Sequence, residues 1–485
     1  MKPVDIQKLK DLKSKLQTAR DSFLGYPVSK DFDFSELYEF LKYPINNLGD
    51  PFEDSTYKVH THDMEKEVVD FFAELFRANP KDYWGYVTNG GSESNLYGLY
   101  IARELYPNAM VYFSESTHYS VKKNIHLLNI PSITIRAQEN GEIDYQDLEN
   151  TLQFNRHKPA IILTTFGTTM KEAKDDVSKV KGILKKLAIQ DHYIHCDAAL
   201  SGCYGSFIEP RTPYDFEDGA DSISISGHKF VGSPFPSGVI VTKRSLKDRI
   251  SKGISYIGGY DTTITGSRNG HSPLFLWYAI KKLGIEGFKK RYLHCEETAN
   301  YCVNKLKELG IDAWRNKGAI TVVFPKAPDL VKEKWQLATE DVSHVICMPN
   351  VTKEQIDALD VMGINSASYL ILPKIVACVI FNPVLIIFSI FLGLFGGYIA
   401  GDLAGMISHH DFVEGLQMSF DSFYIIYAIT KTIVFAFLIT SISSYYGYYV
   451  KGGALDVGRA STLAVVNSSI ALIISNYLLT EIMLS

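Results

Sequence analysis

The charged residues of this chain are distributed unevenly, and this restricts its possible folds more than any other feature. Up to about Lys374 they recur every few residues, as in an ordinary soluble protein. Beyond that point the only basic residues are Lys431, Lys451 and Arg459. A long stretch without charge must be buried in protein or surrounded by lipid. The sequence therefore predicts a soluble part followed by a membrane part.

Three apolar stretches make up the predicted membrane part. They run from about residue 375 to 400, from 422 to 446 and from 462 to 484. Each is long enough to cross a hydrocarbon core about 30 Å thick, so we expect three transmembrane helices. Lys431 and the Asn382–Pro383 pair interrupt the stretches, which keeps a buried hairpin of a soluble protein as the alternative.

The basic residues near these stretches predict their orientation. Lys353 and Lys374 precede the first stretch, Lys451 and Arg459 lie between the second and third, and the segment 401–421 contains no lysine or arginine. Loops rich in basic residues tend to stay in the cytoplasm. The soluble part and the 447–460 loop are therefore expected on the cytoplasmic side of a bacterial inner membrane.

Length, charge and cysteine content set broader limits. A chain of 485 residues is expected to contain two or three domains. Its net charge of -5 gives no electrostatic reason to expect a nucleic-acid partner. The six cysteines show no CxxC spacing, which predicts a reduced intracellular protein without a metal site. The first residues, MKPVDIQKLKDLKSKLQ, lack the apolar core of a signal peptide.

The soluble part alternates short apolar runs with helical patterns, which is typical of an α/β fold with a mixed, mostly parallel sheet. A crossover helix is predicted between the first two strands, and from about Tyr301 a helix and two strands predict a smaller α+β unit that ends near Asp360. The predicted buried strands of the sheet are residues 160–167, 193–199, 222–226 and 238–243.

Two residues that follow predicted strands are candidates for cofactor chemistry. Lys229 follows a buried strand, after His228 and before glycine-rich sequence, where a lysine could hold a carbonyl cofactor covalently. Most lysines are instead solvated surface residues. Asp197 ends another strand between apolar neighbours, where it is either an internal ion pair or helix cap, or the partner of a pyridinium nitrogen. Ala199 is small enough for a flat ring to lie against the strand.

A polar glycine turn, TNGGSESN, runs directly into a predicted helix. Free backbone N–H groups at a helix start bind phosphate well, and Gly90, Gly91, Ser92 and Ser94 suit that function. The alternative is an ordinary helix capped by Ser92. Glu93 would repel phosphate unless its carboxylate points away.

Two further residues have both a structural and a functional interpretation. His118, at the start of another helical pattern, is either structural or stacks on a cofactor ring opposite Asp197 and Ala199. Arg268, in TGSRNGH, either binds phosphate or a carboxylate or is a surface turn residue.

The order of these segments resembles the pattern of fold-type I pyridoxal-phosphate (PLP) enzymes. The set TNGGSESN, STHYSVKK, TTFGTTMKEAKDD, HCDAALSG and SGHKFVGSPFPSG is similar to the group II amino-acid decarboxylases, in particular the bacterial histidine decarboxylases, over about residues 20–358. The resemblance implies a PLP-binding large domain (56–300) with a small α+β domain (301–358), after an N-terminal arm (1–55). It also implies a homodimer or higher homo-oligomer formed through the PLP domain.

The resemblance also implies the roles of the site residues. Lys229 forms the Schiff base with pyridoxal 5'-phosphate, Asp197 pairs with the ring nitrogen, and His118 stacks on the ring and meets the substrate. Thr168 lies near the ring 3-hydroxyl or the substrate. The residues expected to hold the phosphate are Gly90, Gly91, Ser92, Ser226 and His228. A mobile-loop tyrosine, Tyr256 or Tyr260, donates the proton, and Arg268 binds substrate or serves the neighbouring subunit.

The substrate is a small L-amino acid. The resemblance implies conversion of L-histidine to histamine and CO2, with serine or another amino acid as the alternative. The segments PINNLGDPFEDS and HTHDME are expected to shape the side-chain pocket.

The tail resembles a different family. It contains EQIDALDVMGINSASYLILPKIVA, GGYIAGDLAGMIS and SSYYGYYVKGGALDVGRASTLAVV. From about Glu354 onward these segments are similar to the second half of the permease subunit of Mla-type phospholipid ABC transporters, and the stretch 353–359 suits either family. Residues 359–485 are therefore predicted to form a membrane-spanning, permease-like tail that contacts the lipid bilayer. Three interpretations stay open: a membrane-tethered decarboxylase, an inert inserted tail, or a chimera of two genes. A phospholipid-transport permease fragment is the alternative function of another class.

Overall fold

The structure, a computed structural model, describes residues 1–54, 56–254, 259–363, 371–450 and 454–484. It divides into two compact units, residues 1–363 and 364–485. The boundary lies close to the predicted start of the tail at residue 359.

The first unit alternates helices and strands. Its described helices are α1 (Pro3–Asp21), α2 (His62–Leu75), α3 (Gly91–Leu105), α4 (Tyr119–Leu127), α5 (Tyr145–Asn155), α6 (Val177–Lys186), α7 (Arg244–Asp248), α8 (His271–Glu308), α9 (Asp329–Trp335) and α10 (Lys353–Gly363). Its described strands are β1 (Asn46–Leu48), β2 (Trp84–Thr88), β3 (Met110–Ser114), β4 (Ser132–Ile135), β5 (Ala160–Thr165), β6 (His192–Asp197), β7 (Ser222–Ser226), β8 (Gly238–Thr242), β9 (Lys252–Ile254), β10 (Gly259–Asp261), β11 (Ser267–Asn269), β12 (Thr321–Pro325) and β13 (Val342–Ile346).

Seven of the described strands form one sheet, in the order β2-β8-β7-β6-β5-β3-β4. β8 is antiparallel to both of its neighbours, and the other pairs are parallel. This confirms the predicted mixed, mostly parallel sheet. The carboxyl ends of β2, β5, β6 and β7 meet at one edge, where ligands bind in open α/β sheets.

The central strands are buried on both faces, as parallel sheets require. In β5, Ile161 and Leu163 pack with the apolar side chains of α3 and α4, whereas Ile162 packs with those of α5 and α6. Continuous apolar runs in the sequence therefore arise because consecutive side chains point to two covered faces.

The small α+β part follows α8. This helix is interrupted at Gly284, whose φ of 57° is left-handed, and it continues to Glu308. The predicted domain boundary at residue 300 thus falls inside a helix, and the finer division into domains stays a prediction. β12 and β13 form an antiparallel pair, and Ile346 N donates a hydrogen bond of 2.9 Å to Leu24 O of the N-terminal segment.

The second unit is helical, with α11 (Leu372–Leu403), α12 (His409–Ser419), α13 (Ser422–Tyr449) and α14 (Ala454–Leu484). Three of these helices contain candidate membrane spans of 32, 28 and 29 residues, more than the roughly 20 residues that a span requires. Among the described residues almost none of the apolar side chains in these spans is buried in protein. This argues against the buried soluble hairpin and agrees with a lipid environment.

Candidate active site

Lys229 lies at the carboxyl edge of the sheet, directly after β7. Its backbone, with φ -87° and ψ -108°, interrupts the turn Gly227–Val231. The side chain lines a cavity of about 490 Å³. Burial lowers the pKa of Lys229, and the nearby Asp197 opposes that shift. Among the described residues its ammonium group forms no ion pair, and it lines the cavity, so the amine is available for covalent chemistry.

Asp197 ends β6 beside the same cavity. Its Oδ2 accepts a hydrogen bond of 2.7 Å from Asn95 Nδ2, and its Oδ1 accepts one of 3.1 Å from Ala199 N. Its partner is therefore a neutral amide rather than a cation. The helix-cap and ion-pair interpretations do not apply among the described residues, and the carboxyl group lines the cavity without a paired cation.

Asn95 is itself oriented by two buried groups. Its Oδ1 accepts a hydrogen bond of 2.5 Å from Ser224 Oγ and lies 2.9 Å from His195 Nε2. His195 Nδ1 lies 2.7 Å from Ser222 Oγ. Burial lowers the pKa of His195 to about 4, so the ring is neutral, with its proton on Nε2 facing the amide oxygen. The side chains of Asn95 and His195 were not predicted, because their pairing depends on α3 crossing β6.

The polar glycine turn forms the start of α3, as predicted. Gly90 has φ 154°, a left-handed conformation that favours glycine, and a Cβ on Gly91 would overlap Ser226 Oγ, so the glycine at position 91 lets the start of α3 approach the end of β7. Helix geometry leaves the N–H groups of Gly91 and Ser92 without intrahelical partners, and both residues line the cavity.

Two other side chains of this turn, those of Ser94 and Glu93, form hydrogen bonds within the protein. Ser94 is fully buried, and its hydroxyl lies 2.7 Å from Thr88 Oγ1, so the prediction that Ser94 binds phosphate is wrong. Glu93 Oε2 accepts hydrogen bonds from Asn89 N and Nδ2, at 3.0 and 2.7 Å. These bonds offset part of its negative charge at the cavity rim.

His118 is the N-cap residue of α4 and lines the cavity. Its Nδ1 lies 2.8 Å from Ser120 Oγ and accepts from Ser120 N. Burial lowers the pKa of His118, and Asp197 opposes the shift. The structural interpretation of this histidine therefore holds, because it caps a helix; its ring also lines the cavity, and its stacking on a cofactor stays a prediction.

The remaining predicted cofactor residues also reach the cavity. Thr168 is buried, and its Oγ1 accepts a hydrogen bond of 2.9 Å from Ala173 N. His228 Nδ1 is held by Ser237 O at 3.0 Å, and burial lowers the pKa of His228. The other predicted residues that line the cavity are Ala199 and Ser226.

The structure does not bring Arg268 into this cavity. Arg268 is buried and forms an ion pair with Glu65, while its second terminal nitrogen donates to Gly49 O at 2.7 Å. Its interpretation as a surface turn residue is therefore wrong, and within the described part of this chain it does not line the cavity. Tyr260 lies in β10, and Tyr256 lies outside the described residues.

Two segments complete the cavity wall without having been predicted. Gly25, Tyr26 and Pro27 of the N-terminal segment line it, as do His344 and Ile346 of β13. The His344 ring lies between the N-terminal segment and the loop that contains Met170, with its nitrogens 3.1 Å from Met170 O and 3.1 Å from Gly25 O. No local motif marks these residues, because only tertiary contacts bring them to the sheet edge.

These features together define a pyridoxal-phosphate site of the fold-type I class. A lysine with a lowered pKa, a buried aspartate, a flat imidazole and a helix N-terminus converge on one cavity, which suits the aldehyde, ring nitrogen, ring face and phosphate of that cofactor.

Comparison with known proteins identifies the family. The pyridoxal-dependent decarboxylase conserved domain matches residues 35–324, and the chain belongs to this family of PLP-dependent amino-acid decarboxylases. Histidine decarboxylase of Mesorhizobium japonicum is 51% identical over 359 residues, which cover 74% of this chain and 97% of that protein. Histidine decarboxylase of Vibrio campbellii is 47% identical, over 69% of this chain and 88% of that protein.

Solved structures agree with the fold. L-methionine decarboxylase from Streptomyces in its internal aldimine form has a TM-score of 0.68 and 27% identity, covering 74% of this chain and 95% of that one. Lactobacillus brevis glutamate decarboxylase, with a TM-score of 0.62 and 17% identity, covers 74% of this chain and 92% of that one and supports the fold alone.

The tail matches a different family. Residues 350–482 match the permease MlaE family. With the three apolar helices, this match indicates membrane association.

Proposed function

We propose that this chain uses pyridoxal 5'-phosphate to decarboxylate L-histidine to histamine and CO2. The observation that carries the proposal is the convergence of Lys229, Asp197 and His118 on one cavity beside the start of α3. The identity of 51% to a histidine decarboxylase, over 97% of that protein, supports the substrate.

Lys229 is the proposed covalent anchor of the cofactor. Because burial lowers its pKa, a larger fraction of the amine is neutral and nucleophilic near neutral pH. Asp197 keeps a carboxylate beside the ring nitrogen, and its bonds to Asn95 and Ala199 fix the direction of that carboxylate. When bound, pyridoxal phosphate accepts the electron pair that CO2 leaves behind at Cα.

The cofactor phosphate is proposed to lie at the start of α3. The backbone N–H groups of Gly91 and Ser92 supply donors that the helix leaves free, and the helix dipole favours an anion there. The Ser226 hydroxyl and the His228 ring face the same cavity.

His118 and Thr168 are proposed to hold the ring from its open side. The neutral His118 ring can stack on the cofactor without adding a positive charge. Tyr26 and Pro27 line the cavity and are proposed to reduce the access of water. A tyrosine, Tyr256 or Tyr260, is proposed to return the proton to Cα.

The decisive test of the cofactor site is Lys229→Ala beside Lys229→Arg. Borohydride reduction followed by mass spectrometry should find a phosphopyridoxyl group on Lys229 of the unmodified chain and on neither variant. Labelling of another lysine in the unmodified chain would contradict the assignment.

The substrate is tested by measuring CO2 release from histidine, serine, aspartate and the aromatic amino acids. Histidine should give the highest kcat/KM. A higher value for serine would favour the alternative substrate, and release from none of them would refute the decarboxylase proposal.

For the tail, we propose that it anchors the catalytic unit to the cytoplasmic face of a bacterial inner membrane through lipid contact. The match of residues 350–482 to the permease family favours a second candidate, a phospholipid-transport permease fragment carried as a fusion or chimera. Sequencing the gene across the Lys353 codon tests the chimera, and lipid transfer between vesicles by the purified chain tests the permease.

A further inference from the structure

The cavity loop, residues 167–174, contains a buried carboxylate, that of Glu172, which has no part in the proposed reaction. Glu172 is 1% exposed. Its Oε1 accepts hydrogen bonds from Tyr204 OH at 2.8 Å, Lys174 Nζ at 3.1 Å and Ser201 Oγ at 3.2 Å. Ser201 and Tyr204 belong to the segment that follows Asp197 and Ala199.

The other oxygen of Glu172 faces the small α+β part. Its Oε2 accepts from Ile320 N at 2.9 Å, Thr321 N at 2.9 Å and Thr321 Oγ1 at 2.6 Å. One carboxylate therefore accepts six hydrogen bonds from three segments that are far apart in the sequence: the cavity loop, the segment after β6, and the start of β12.

This arrangement is not explained by stability alone. Glu172 has φ 50°, a left-handed conformation that a side chain other than glycine adopts at a cost. Its cation partner, Lys174, is also buried, and burial lowers the pKa of Lys174. Buried ion pairs add little stability relative to apolar replacements of similar size. Strained, buried and charged residues of this kind are concentrated at functional sites.

The contacts of Glu172 lead to both sides of the cofactor cavity. Glu172 N donates to Thr168 O at 2.7 Å, and the next residue, Ala173, donates to Thr168 Oγ1. On the other side, the Tyr204 ring lies 4.9 Å from the Phe230 ring, and Phe230 directly follows Lys229.

We propose that Glu172 is a positioning residue for pyridoxal phosphate. By joining the cavity loop to the segment after Asp197 and to β12, it holds Thr168 and Lys229 at the distances that the cofactor requires. This role concerns the binding of pyridoxal phosphate. Only the measurement of kcat and KM with histidine rests on the proposed function.

The first test is Glu172→Gln in the full-length chain purified in detergent. The amide has nearly the same size, but its NH2 group must face three donors in either orientation. We expect the dissociation constant for pyridoxal phosphate, measured by absorbance titration, to rise about tenfold or more. With histidine as substrate, kcat should fall more than KM rises, because the cofactor rather than the substrate is displaced.

A second variant separates positioning from folding. Glu172→Gly with Lys174→Met removes both buried charges and relieves the left-handed strain, but it leaves five buried donors without their acceptor. We therefore expect its Tm to fall to about that of the control variant Asp215→Asn. Its affinity for pyridoxal phosphate should be weakened, whereas that of the control should not.

The matched control is Asp215→Asn. Asp215 is 1% exposed and is paired with Arg77 and Arg211, none of which lines the cavity. It should lower Tm and leave the affinity for pyridoxal phosphate unchanged.

Normal cofactor affinity and normal kcat in both Glu172 variants, with a change in Tm alone, would overturn the proposal. An equal loss of affinity in Asp215→Asn would also overturn it, because general destabilisation would then explain the effect. If Glu172→Gln does not fold, the double variant decides. If histidine is not the substrate, the titration with pyridoxal phosphate still tests the role of Glu172. A failure of the Glu172 proposal can therefore be told from a failure of the proposed function.

Discussion

Asn95 connects Asp197 to a buried set of hydrogen bonds that fixes the direction of its carboxylate. The amide donates to Asp197, and its oxygen accepts from Ser224 and His195. Its orientation is therefore determined at both ends, and Asp197 receives a donor without losing its charge to a cation.

Replacing Asn95 by Asp should damage the site more than replacing it by Ala. A second carboxylate beside Asp197 would raise the pKa of one of the two acids, and the ring nitrogen would lose its charged partner. We expect kcat to fall on the order of tenfold or more below that of Asn95→Ala. Equal kcat in the two variants, measured with saturating pyridoxal phosphate, would argue against this role.

Acid should destabilise the chain through its buried histidines. Burial lowers the pKa values of His195 and His62 to about 4 in the folded chain, from an ordinary value of 6.5. Between pH 6.5 and about 4 the unfolded chain therefore binds more protons, and the free energy of unfolding falls as the pH falls.

His195→Gln should reduce this dependence, as should His62→Gln, and the double variant should reduce it additively because the residues share no contact among those described. Urea unfolding at pH 7 and pH 5 measures the slope. An unchanged slope in both single variants would contradict the assignment of the lowered pKa values.

For single residues, the sequence predicts which side chains reach the cavity better after strands than within helices. Lys229 and Asp197 could be located because strand ends reach the same sheet edge. Ser94 was assigned wrongly because two residues along a helix rotate a side chain by about 200°, which turns Ser94 inward while Ser92 faces the cavity. Asn95 and His195 carry no local signal, because their pairing depends on a helix crossing a strand.

Among the elements, α3 places its first turn against β7 with no space for a side chain at Gly91. Gly91→Ala would push a Cβ into Ser226 Oγ. We expect weaker binding of pyridoxal phosphate, because the displaced turn supplies the phosphate donors.

Gly182→Ala is the matched control, since Gly182 lies in α6 and an added Cβ would meet no atom within 4 Å. It should stabilise the helix by about 0.5–1 kcal/mol and leave cofactor affinity unchanged. Titration of both variants with pyridoxal phosphate, together with their Tm values, distinguishes the two outcomes. Equal affinities would mean that the turn does not bind the phosphate.

Four strands of the large sheet, β5 to β8, followed from the sequence, because continuous apolar runs are a local property. The strands β2, β3 and β4 were not predicted. The sheet order did not follow in detail, and neither did the contribution of β13 and the N-terminal segment to the cavity. The sheet order depends on pairings such as that of Trp84 with Thr242. The cavity wall depends on contacts between residues more than 300 positions apart, such as Gly25 with His344, and a local pattern records neither.

At the scale of the whole molecule, the chain joins a decarboxylase unit to helices that have the length of membrane spans. After cell breakage we expect the full-length chain in the membrane fraction, resistant to alkaline extraction and released by detergent. Recovery of the intact chain from the soluble fraction without detergent would contradict the spanning assignment.

The division into two units was predictable because it depends on composition, which changes once along the chain. The orientation of the spans and the assembly of subunits depend on the membrane and on a second chain, so they stay predictions.

The residues that line the cofactor cavity extend from Gly25 to Ile346, and all of them precede α11, which begins at Leu372. Since a ribosome releases the chain from its N-terminus and early domains fold during synthesis, the last cavity residue leaves the ribosome before the first apolar span does. The cofactor can therefore be loaded onto a nascent chain, and the enzyme can be complete before a translocation machinery receives its first hydrophobic segment.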